Sequence, residues 1–105
     1  MANNLEYNPL RVDTAGLIWE EKKFIADFYL QSLQWVDDDT ASGGNFKSGD
    51  NLTMTINGAT IRINIPVAEN VQPVAYEAVF PVPVKIIKMT VDVIDGGTLI
   101  VWRVL

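Results

Sequence analysis

One predicted hairpin in the middle of the sequence constrains the fold more than any other feature. From Leu52 to Pro66 the chain reads LTMTINGATIRINIP, with apolar and polar residues alternating on both sides of Asn57-Gly58. Alternation with a period of two is typical of a strand with one buried face. Asn-Gly accepts the positive φ angles of the tight turn whose twist suits a hairpin. The predicted register pairs Ile56 with Ala59, Met54 with Ile61 and Leu52 with Ile63.

The stretch from Leu17 to Val36 fits two interpretations. Its charged residues 20–23 are good helix formers, whereas its aromatic and β-branched residues favour a strand. In the strand interpretation, the apolar alternation changes phase near Gln31-Ser32, where one extra residue produces a β-bulge. We favour the strand, preceded by a short strand at 17–19 and a charged turn.

Two segments of the chain are rich in residues that interrupt regular structure. Asp37 to Asp50 holds mostly turn formers, which predicts a long surface loop pinned to the domain by Phe46. Four of the five prolines lie between Pro66 and Pro83. Because proline has no N–H to donate to a sheet, we expect an extended segment there, with one strand at Val74–Phe80, that carries the chain from one sheet to the other.

The C-terminal part of the sequence, from Val84 to Val104, predicts a second hairpin. Apolar residues alternate before and after Asp95-Gly96-Gly97, and a two-residue turn there puts Met89 and Val91 on one face with Ile100, Trp102 and Val104. A change of phase predicts a bend near Ile86-Ile87. Since both faces of the last strand are apolar, one of them must meet the other sheet or a partner subunit.

These elements predict an all-β fold, a small antiparallel β-sandwich or jelly roll with an extended N-terminal arm. We place the arm at residues 1–16 and a single β-sandwich domain at 17–105. An ordered arm needs a surface to lie on, either its own domain or a neighbouring subunit. The candidate interface residues are apolar and lie in or just after the arm: Leu5, Tyr7, Leu10, Val12 and Trp19.

Composition argues against several classes of function. The 105 residues include no cysteine and no histidine, which removes thiolate chemistry, the commonest general base and the commonest transition-metal ligand. A net charge of −5, with only 8 lysines and arginines, argues against nucleic-acid binding. The sequence predicts neither a signal peptide nor a membrane helix, so we expect synthesis in a cytoplasm.

The densest carboxylate cluster, Asp37-Asp38-Asp39, is the strongest candidate for a metal site. Its oxygen atoms suit calcium, but Ala41 and Ser48 stand where a helix–loop–helix calcium site needs ligands. A solvated turn is the favoured interpretation. We therefore predict no metal site and no cofactor.

Other residues carry weaker indications of chemistry. Glu69 and Glu77 are not marked as a catalytic pair, and the glycine pairs at 43–44 and 96–97 precede no helix that could bind phosphate. We predict that the chain is not an enzyme and has no small-molecule substrate. Aromatic side chains could form a sugar-stacking platform, although packing in a core or interface is the favoured role, above all for Trp102; they are Trp19, Tyr29, Trp35, Tyr76 and Trp102.

The order of motifs in the second half of the chain resembles one known family. A strand ending in Gln34-Trp35-Val36 leads through a glycine-rich loop and Ser48-Gly49-Asp50 into LTMTING, and the chain closes on VDVIDGGTLIVW at 91–102. This resembles small virion-associated proteins of tailed bacteriophages, and the resemblance covers about residues 29–105. It implies no catalytic residues.

The resemblance implies a structural role in a virion, as a capsid decoration or cement protein. The implied partners are other copies of the chain, with a trimer favoured, and a major capsid protein or other virion protein. The implied location is the virion, after synthesis in the host cytoplasm. Two alternatives are a minor head–tail or tail component and a β-sandwich module that binds a carbohydrate or receptor.

Overall fold

The computed structural model describes residues 9–21, 28–65 and 74–104. These residues form β-strands and loops without a helix. The strands are β1 (Leu10–Val12), β2 (Gly16–Glu20), β3 (Tyr29–Val36), β4 (Asn51–Ile56), β5 (Ala59–Asn64), β6 (Val74–Lys85), β7 (Lys88–Ile94) and β8 (Thr98–Arg103).

The strands form two antiparallel sheets of four strands each. The first sheet has the order β1-β8-β3-β6 and the second has the order β2-β7-β4-β5. The first half of the strands pairs with the second half in reverse order: β1 pairs with β8, β2 with β7, β3 with β6 and β4 with β5. Successive pairs alternate between the sheets, which is the topology of a jelly roll. The predicted fold class, an antiparallel β-sandwich or jelly roll, is confirmed.

The central hairpin has the predicted register. Ile56 pairs with Ala59, Met54 with Ile61 and Leu52 with Ile63. Both turn residues have positive φ angles, 50° at Asn57 and 87° at Gly58, as this type of hairpin turn requires.

The ambiguous stretch contains two strands, β2 and β3, in its described residues. Register along β3 shifts between Leu30 and Ser32, where the bulge was predicted. The shift keeps Leu30, Leu33 and Trp35 on the buried side, each fully inaccessible to solvent. The strand interpretation is therefore confirmed at Gly16–Glu20 and Tyr29–Val36. The remainder of the stretch, 22–27, lies outside the described residues.

The crossing segment carries the chain from the second sheet to the first, as predicted, but its strand is longer than predicted. The strand β6 continues beyond Phe80 through Pro81 and Pro83. Prolines are tolerated there because β6 is an edge strand, whose outer side needs no ladder donors. The chain then bends at 86–87, also as predicted, with Ile86 buried and Ile87 exposed.

The predicted second hairpin is wrong. The strand β7 pairs with β2 and β4, whereas β8 pairs with β1 and β3, so the segment 95–97 crosses between the sheets. Close packing at the glycines explains the difference. The indole N–H of Trp35 donates to the carbonyl of Gly96 at 2.9 Å, and a Cβ atom on Gly97 would lie 2.3 Å from the Phe46 ring. Gly96 and Gly97 thus allow the chain to cross between the sheets in close contact with the 37–50 loop.

The N-terminal segment differs from the predicted arm in its described part. Leu10–Val12 pairs with β8 at the edge of the first sheet, and Gly16 begins β2. Both Leu10 and Val12 are buried. The apolar residues in this short strand were too few to show a period in the sequence.

The core lies between the two sheets and includes two aromatic contacts. Trp19 packs against Phe28, and Trp35 meets Phe46 edge to face, each with ring centroids about 5 Å apart. Phe46 therefore pins the 37–50 loop to the domain, as predicted.

Asn57 joins the central hairpin to the bend between β6 and β7. Its side-chain amide donates to the carbonyl of Lys85 at 2.9 Å, and its side-chain oxygen accepts from the N–H groups of Ile87 and Lys88 at 2.7 and 3.2 Å. One residue thus supplies both a left-handed backbone conformation and a hydrogen-bonded clamp.

Two substitutions separate these contributions. Asn57→Gly keeps the left-handed conformation and removes the clamp, so we expect the free energy of unfolding to fall by about 1 kcal/mol. Asn57→Ala also strains the backbone, which should lower the free energy by about 1–2 kcal/mol more. Urea denaturation followed by tryptophan fluorescence measures both. Equal stability of Asn57→Gly and the unsubstituted protein would contradict the clamp.

Candidate functional site

The last strand, β8, carries apolar side chains on both of its faces. Leu99 and Val101 point towards the facing sheet and are fully buried. Ile100 and Trp102 alternate with them and therefore lie on the outer face of the first sheet. Trp102 is 39% exposed, so it is not packed in this chain's own core, and its packing in an interface stays a prediction. The sequence already indicated a contact surface on the outer face, because the residues on both faces of this strand are apolar.

Neighbouring strands add apolar side chains around Trp102. Ser32 of β3 pairs with Trp102 on one side and with Val79 of β6 on the other, which places Trp102 and Val79 on the same face, about 10 Å apart. Tyr29 lies opposite Val104, whose N–H donates to the Tyr29 carbonyl at 2.9 Å. We call Tyr29, Val79, Trp102 and Val104 the outer apolar surface.

The outer apolar surface is accessible in the chain as described. Tyr29 and Trp102 are each 39% exposed, Val104 is 42% exposed and Val79 is 63% exposed. Polar residues lie beside it, including Gln34, whose amide donates to the Glu77 carboxylate at 3.3 Å. An apolar surface with a polar margin is typical of a protein-binding site.

Three of the five predicted interface residues lie in the core. Leu10, Val12 and Trp19 are at most 8% exposed and belong to the chain's own core. Leu5 and Tyr7 lie outside the described residues, so their contact with a neighbouring subunit stays a prediction.

The five aromatic residues considered for sugar binding fall into two groups. Trp19 and Trp35 are buried, and Tyr76 is partly buried against the core. Tyr29 and Trp102 are exposed on one face of the first sheet. Only these two, of the five, are placed where they could stack on a ligand or on a protein partner.

The carboxylates of Asp37 and Asp38 hold the loop that follows β3. Asp37 accepts from the N–H of Phe46 at 2.9 Å. Asp38 accepts from the N–H and hydroxyl of Thr40, at 2.9 and 2.7 Å, and from the hydroxyl of Thr98 at 2.7 Å. These contacts tie the loop to the start of β8.

Three further carboxylates serve loops at the same end of the sandwich. Asp13 accepts from the N–H of Ser42, Asp50 from that of Lys47 and Asp95 from that of Asn51, at 2.8–3.0 Å. Within the described ranges, no group of three or more acidic, histidine or cysteine side chains is placed to hold a metal ion. These carboxylates stabilise the loops by accepting hydrogen bonds from backbone N–H groups.

The outer face of the second sheet has a shallow polar groove. It is lined by Thr55, Gly58, Lys88, Thr90 and Asp92. The Thr55 hydroxyl donates to the Asp92 carboxylate at 2.7 Å, so this acid already has a partner within the sheet. The groove offers hydroxyl groups, one ammonium and one carboxylate, without an aromatic platform.

The two glutamates considered as a catalytic pair are not brought together in the described residues. Glu77 lies on the outer face of β6, hydrogen-bonded to Gln34. Glu69 lies outside the part of the chain that the structure describes.

Comparisons of the chain with models of known protein families, with curated proteins and with solved structures found no match. In the described residues, no helix is long and apolar enough to span a membrane.

Hydrogen bonds lower the pKa of Asp38 below its ordinary value of 3.8. The largest cause is the Thr40 hydroxyl, followed by the hydroxyl of Thr98 and the N–H of Thr40. A carboxyl whose pKa is lower in the folded chain contributes stability above its unfolded pKa and loses it as the pH falls through the folded value.

Thr98→Val tests this linkage at a buried hydroxyl. We expect the variant to lose about 1 kcal/mol of unfolding free energy at pH 7, because Asp38 loses a charged hydrogen bond. The loss should shrink as the pH falls below 3.8 and through the lowered folded pKa of Asp38, because protonation removes the charge that strengthens this hydrogen bond. Denaturant titrations at pH 7 and pH 3 give the two differences. A loss that stays constant with pH would show that the hydroxyl acts independently of the Asp38 charge.

Proposed function

We propose that this chain is a non-enzymatic structural subunit that binds other proteins through the outer apolar surface. We further propose that the assembly is a virus particle, in which the chain acts as a capsid decoration or cement protein. The observation that carries the binding role is the exposure of Trp102 and Tyr29 on the outer face of the first sheet.

The chemistry of the surface suits protein binding. Tryptophan and tyrosine supply much of the binding energy at interfaces, because each buries a large rigid side chain at little entropic cost. Here Trp102 stands on β8, where it pairs with Ser32 of β3, and the preceding residue Val101 also pairs with Leu10 of β1. Its backbone is therefore held in place before binding, which lowers the cost of ordering the interface.

The distribution of charge agrees with this proposal. The four residues of the outer apolar surface are uncharged, while the whole chain carries a net charge of −5. Net charge favours solubility before assembly, and an uncharged surface is inexpensive to desolvate on binding. Partners under this proposal are further copies of the chain and a major capsid or other virion protein.

The jelly-roll topology supports the virion assignment by analogy. Double-sheet jelly rolls include viral capsid domains as well as lectin domains, so the fold is compatible with both roles. The assignment to a tailed-phage particle rests on the resemblance of the motifs at 34–58 and 91–102.

A carbohydrate- or receptor-binding module is the second candidate. It is favoured by the exposure of Tyr29 and Trp102 on one face, since two aromatic rings can stack on sugar rings. A ligand stacked on Trp102 should change its fluorescence. Titration with neutral oligosaccharides that alters the emission of the unsubstituted protein but not of Trp102→Thr would support this candidate over the structural role.

Peptide counting by mass spectrometry on purified particles tests the virion assignment. A copy number comparable to that of the main shell protein is expected for a decoration protein. A dozen copies or fewer would place the chain in the neck or tail. Absence from the particles would contradict the assignment.

Trp102→Thr tests the binding surface, because threonine keeps the strand and removes the ring. We expect purified variant protein to bind particles lacking this chain at least about tenfold more weakly than the unsubstituted protein. Co-sedimentation over a range of concentrations measures the affinity. Ile87→Thr is the matched control, since Ile87 is 57% exposed but lies at the bend between β6 and β7. Equal weakening by both variants would contradict the proposed surface.

A further inference from the structure

The edge strand β6 has one side that no other described strand pairs with. It is the last strand of the β1-β8-β3-β6 sheet and, among the described residues, pairs only with β3. It is also the longest strand described, with 12 residues. A free edge of this kind exposes a row of N–H and C=O groups that another extended strand can pair with.

The two ends of β6 differ in how well they resist pairing. Natural edge strands are protected by prolines, bulges and charges. The C-terminal end has Pro81 and Pro83, and the register shift between Val79 and Val84 interrupts the ladder. The N-terminal end, Val74–Phe80, contains no proline, and Glu77 is its one charged residue. A second register shift lies between Val74 and Tyr76, so the part of β6 that has neither a proline nor a register shift begins at Tyr76.

The other sheet edges are poorer templates. The strand β1 has three residues and β2 has five, so both are much shorter than β6. The strand β5 is regular but exposes Thr60, Arg62 and Asn64 on its polar face. Only β6, among the described edges, combines length with a largely apolar sequence.

We propose that two copies of this chain pair through Tyr76–Phe80, antiparallel and about a two-fold axis. Main-chain groups on a strand edge select an extended strand as their partner, and an identical edge in the opposite direction is self-complementary. The paired copies share one continuous eight-stranded sheet.

Charge is compatible with a second copy as the occupant. Two chains of net charge −5 repel at long range, but the pairing segment brings only one carboxylate from each copy. A two-fold axis at any residue other than Glu77 keeps the two carboxylates from standing directly opposite. Pairing also brings the Val79 side chains of the two copies towards one another, so the two outer apolar surfaces become neighbours.

The proposal goes beyond the proposed function, because pairing requires only the isolated chain. It also differs from the trimer that the resemblance implies, since a shared strand edge produces a two-fold pair. Directly opposed residues in an antiparallel pair have their side chains on the same face of the sheet. The two-fold axis must therefore pass midway between one residue and the same residue of the second copy.

Single-cysteine variants test the pairing directly, since the chain has no cysteine of its own. The variants are Ala75→Cys, Tyr76→Cys, Glu77→Cys, Ala78→Cys, Val79→Cys and Phe80→Cys. Cα atoms of directly opposed residues lie about 4.5–5.5 Å apart, within the range of a disulfide. Mild oxidation should cross-link one position strongly and positions two residues away weakly or not at all.

Control variants distinguish pairing through β6 from random collision of two chains and from association through the outer apolar surface. Thr60→Cys, on the β5 edge, should cross-link at background level. Sedimentation should give a dimer mass for the unsubstituted chain and also for Trp102→Thr, whose β6 edge is intact. Monomers with only background cross-linking, or equal cross-linking at all positions including 60, would overturn the proposal. A dimer that Trp102→Thr abolishes and β6 cysteines fail to trap would also overturn it, while leaving the proposed binding surface intact.

Discussion

The crossing at 95–97 is the constraint on which the rest of the architecture depends. The main chain passes so close to the 37–50 loop that a Cβ atom on Gly43 would lie 2.0 Å from the carbonyl oxygen of Asp95. Gly97 donates to the carbonyl of Gly44 at 2.8 Å, and the indole of Trp35 holds Gly96. Because the chain crosses here, β8 enters the opposite sheet from β7, and Trp102 faces outward.

The sequence predicted local features of the fold better than long-range ones. The Asn57-Gly58 turn and the alternation around it were sufficient for the central register, and the change of phase near Gln31 located the bulge. The segment 95–97 carries the same turn-forming residues as a hairpin. Its role as a crossing depends on Trp35 and on the 37–50 loop, which lie far away in the sequence. Local pattern alone therefore favoured the wrong pairing partner for β8.

The candidate site was only partly predictable for the same reason. The sequence shows that both faces of β8 are apolar, but which face meets the core depends on the sheet that the strand joins. Leu10 and Val12 illustrate the opposite error. Three residues of strand are too short for a period, yet pairing with β8 buries both side chains. The cluster Asp37-Asp38-Asp39 was predicted to be a solvated turn, and the sequence did not show that Asp37 and Asp38 accept hydrogen bonds that fasten the loop.

The pairing of β1 with β8 determines when the first sheet can form during synthesis. Leu10 lies opposite Val101, and β8 occupies an interior position between β1 and β3. The first sheet therefore lacks an interior strand until β8 has been synthesised. Contacts of such large sequence separation slow folding, because a long loop must close before they form. On a ribosome, the outer apolar surface therefore forms only after β8 has emerged, because Trp102 lies on that strand.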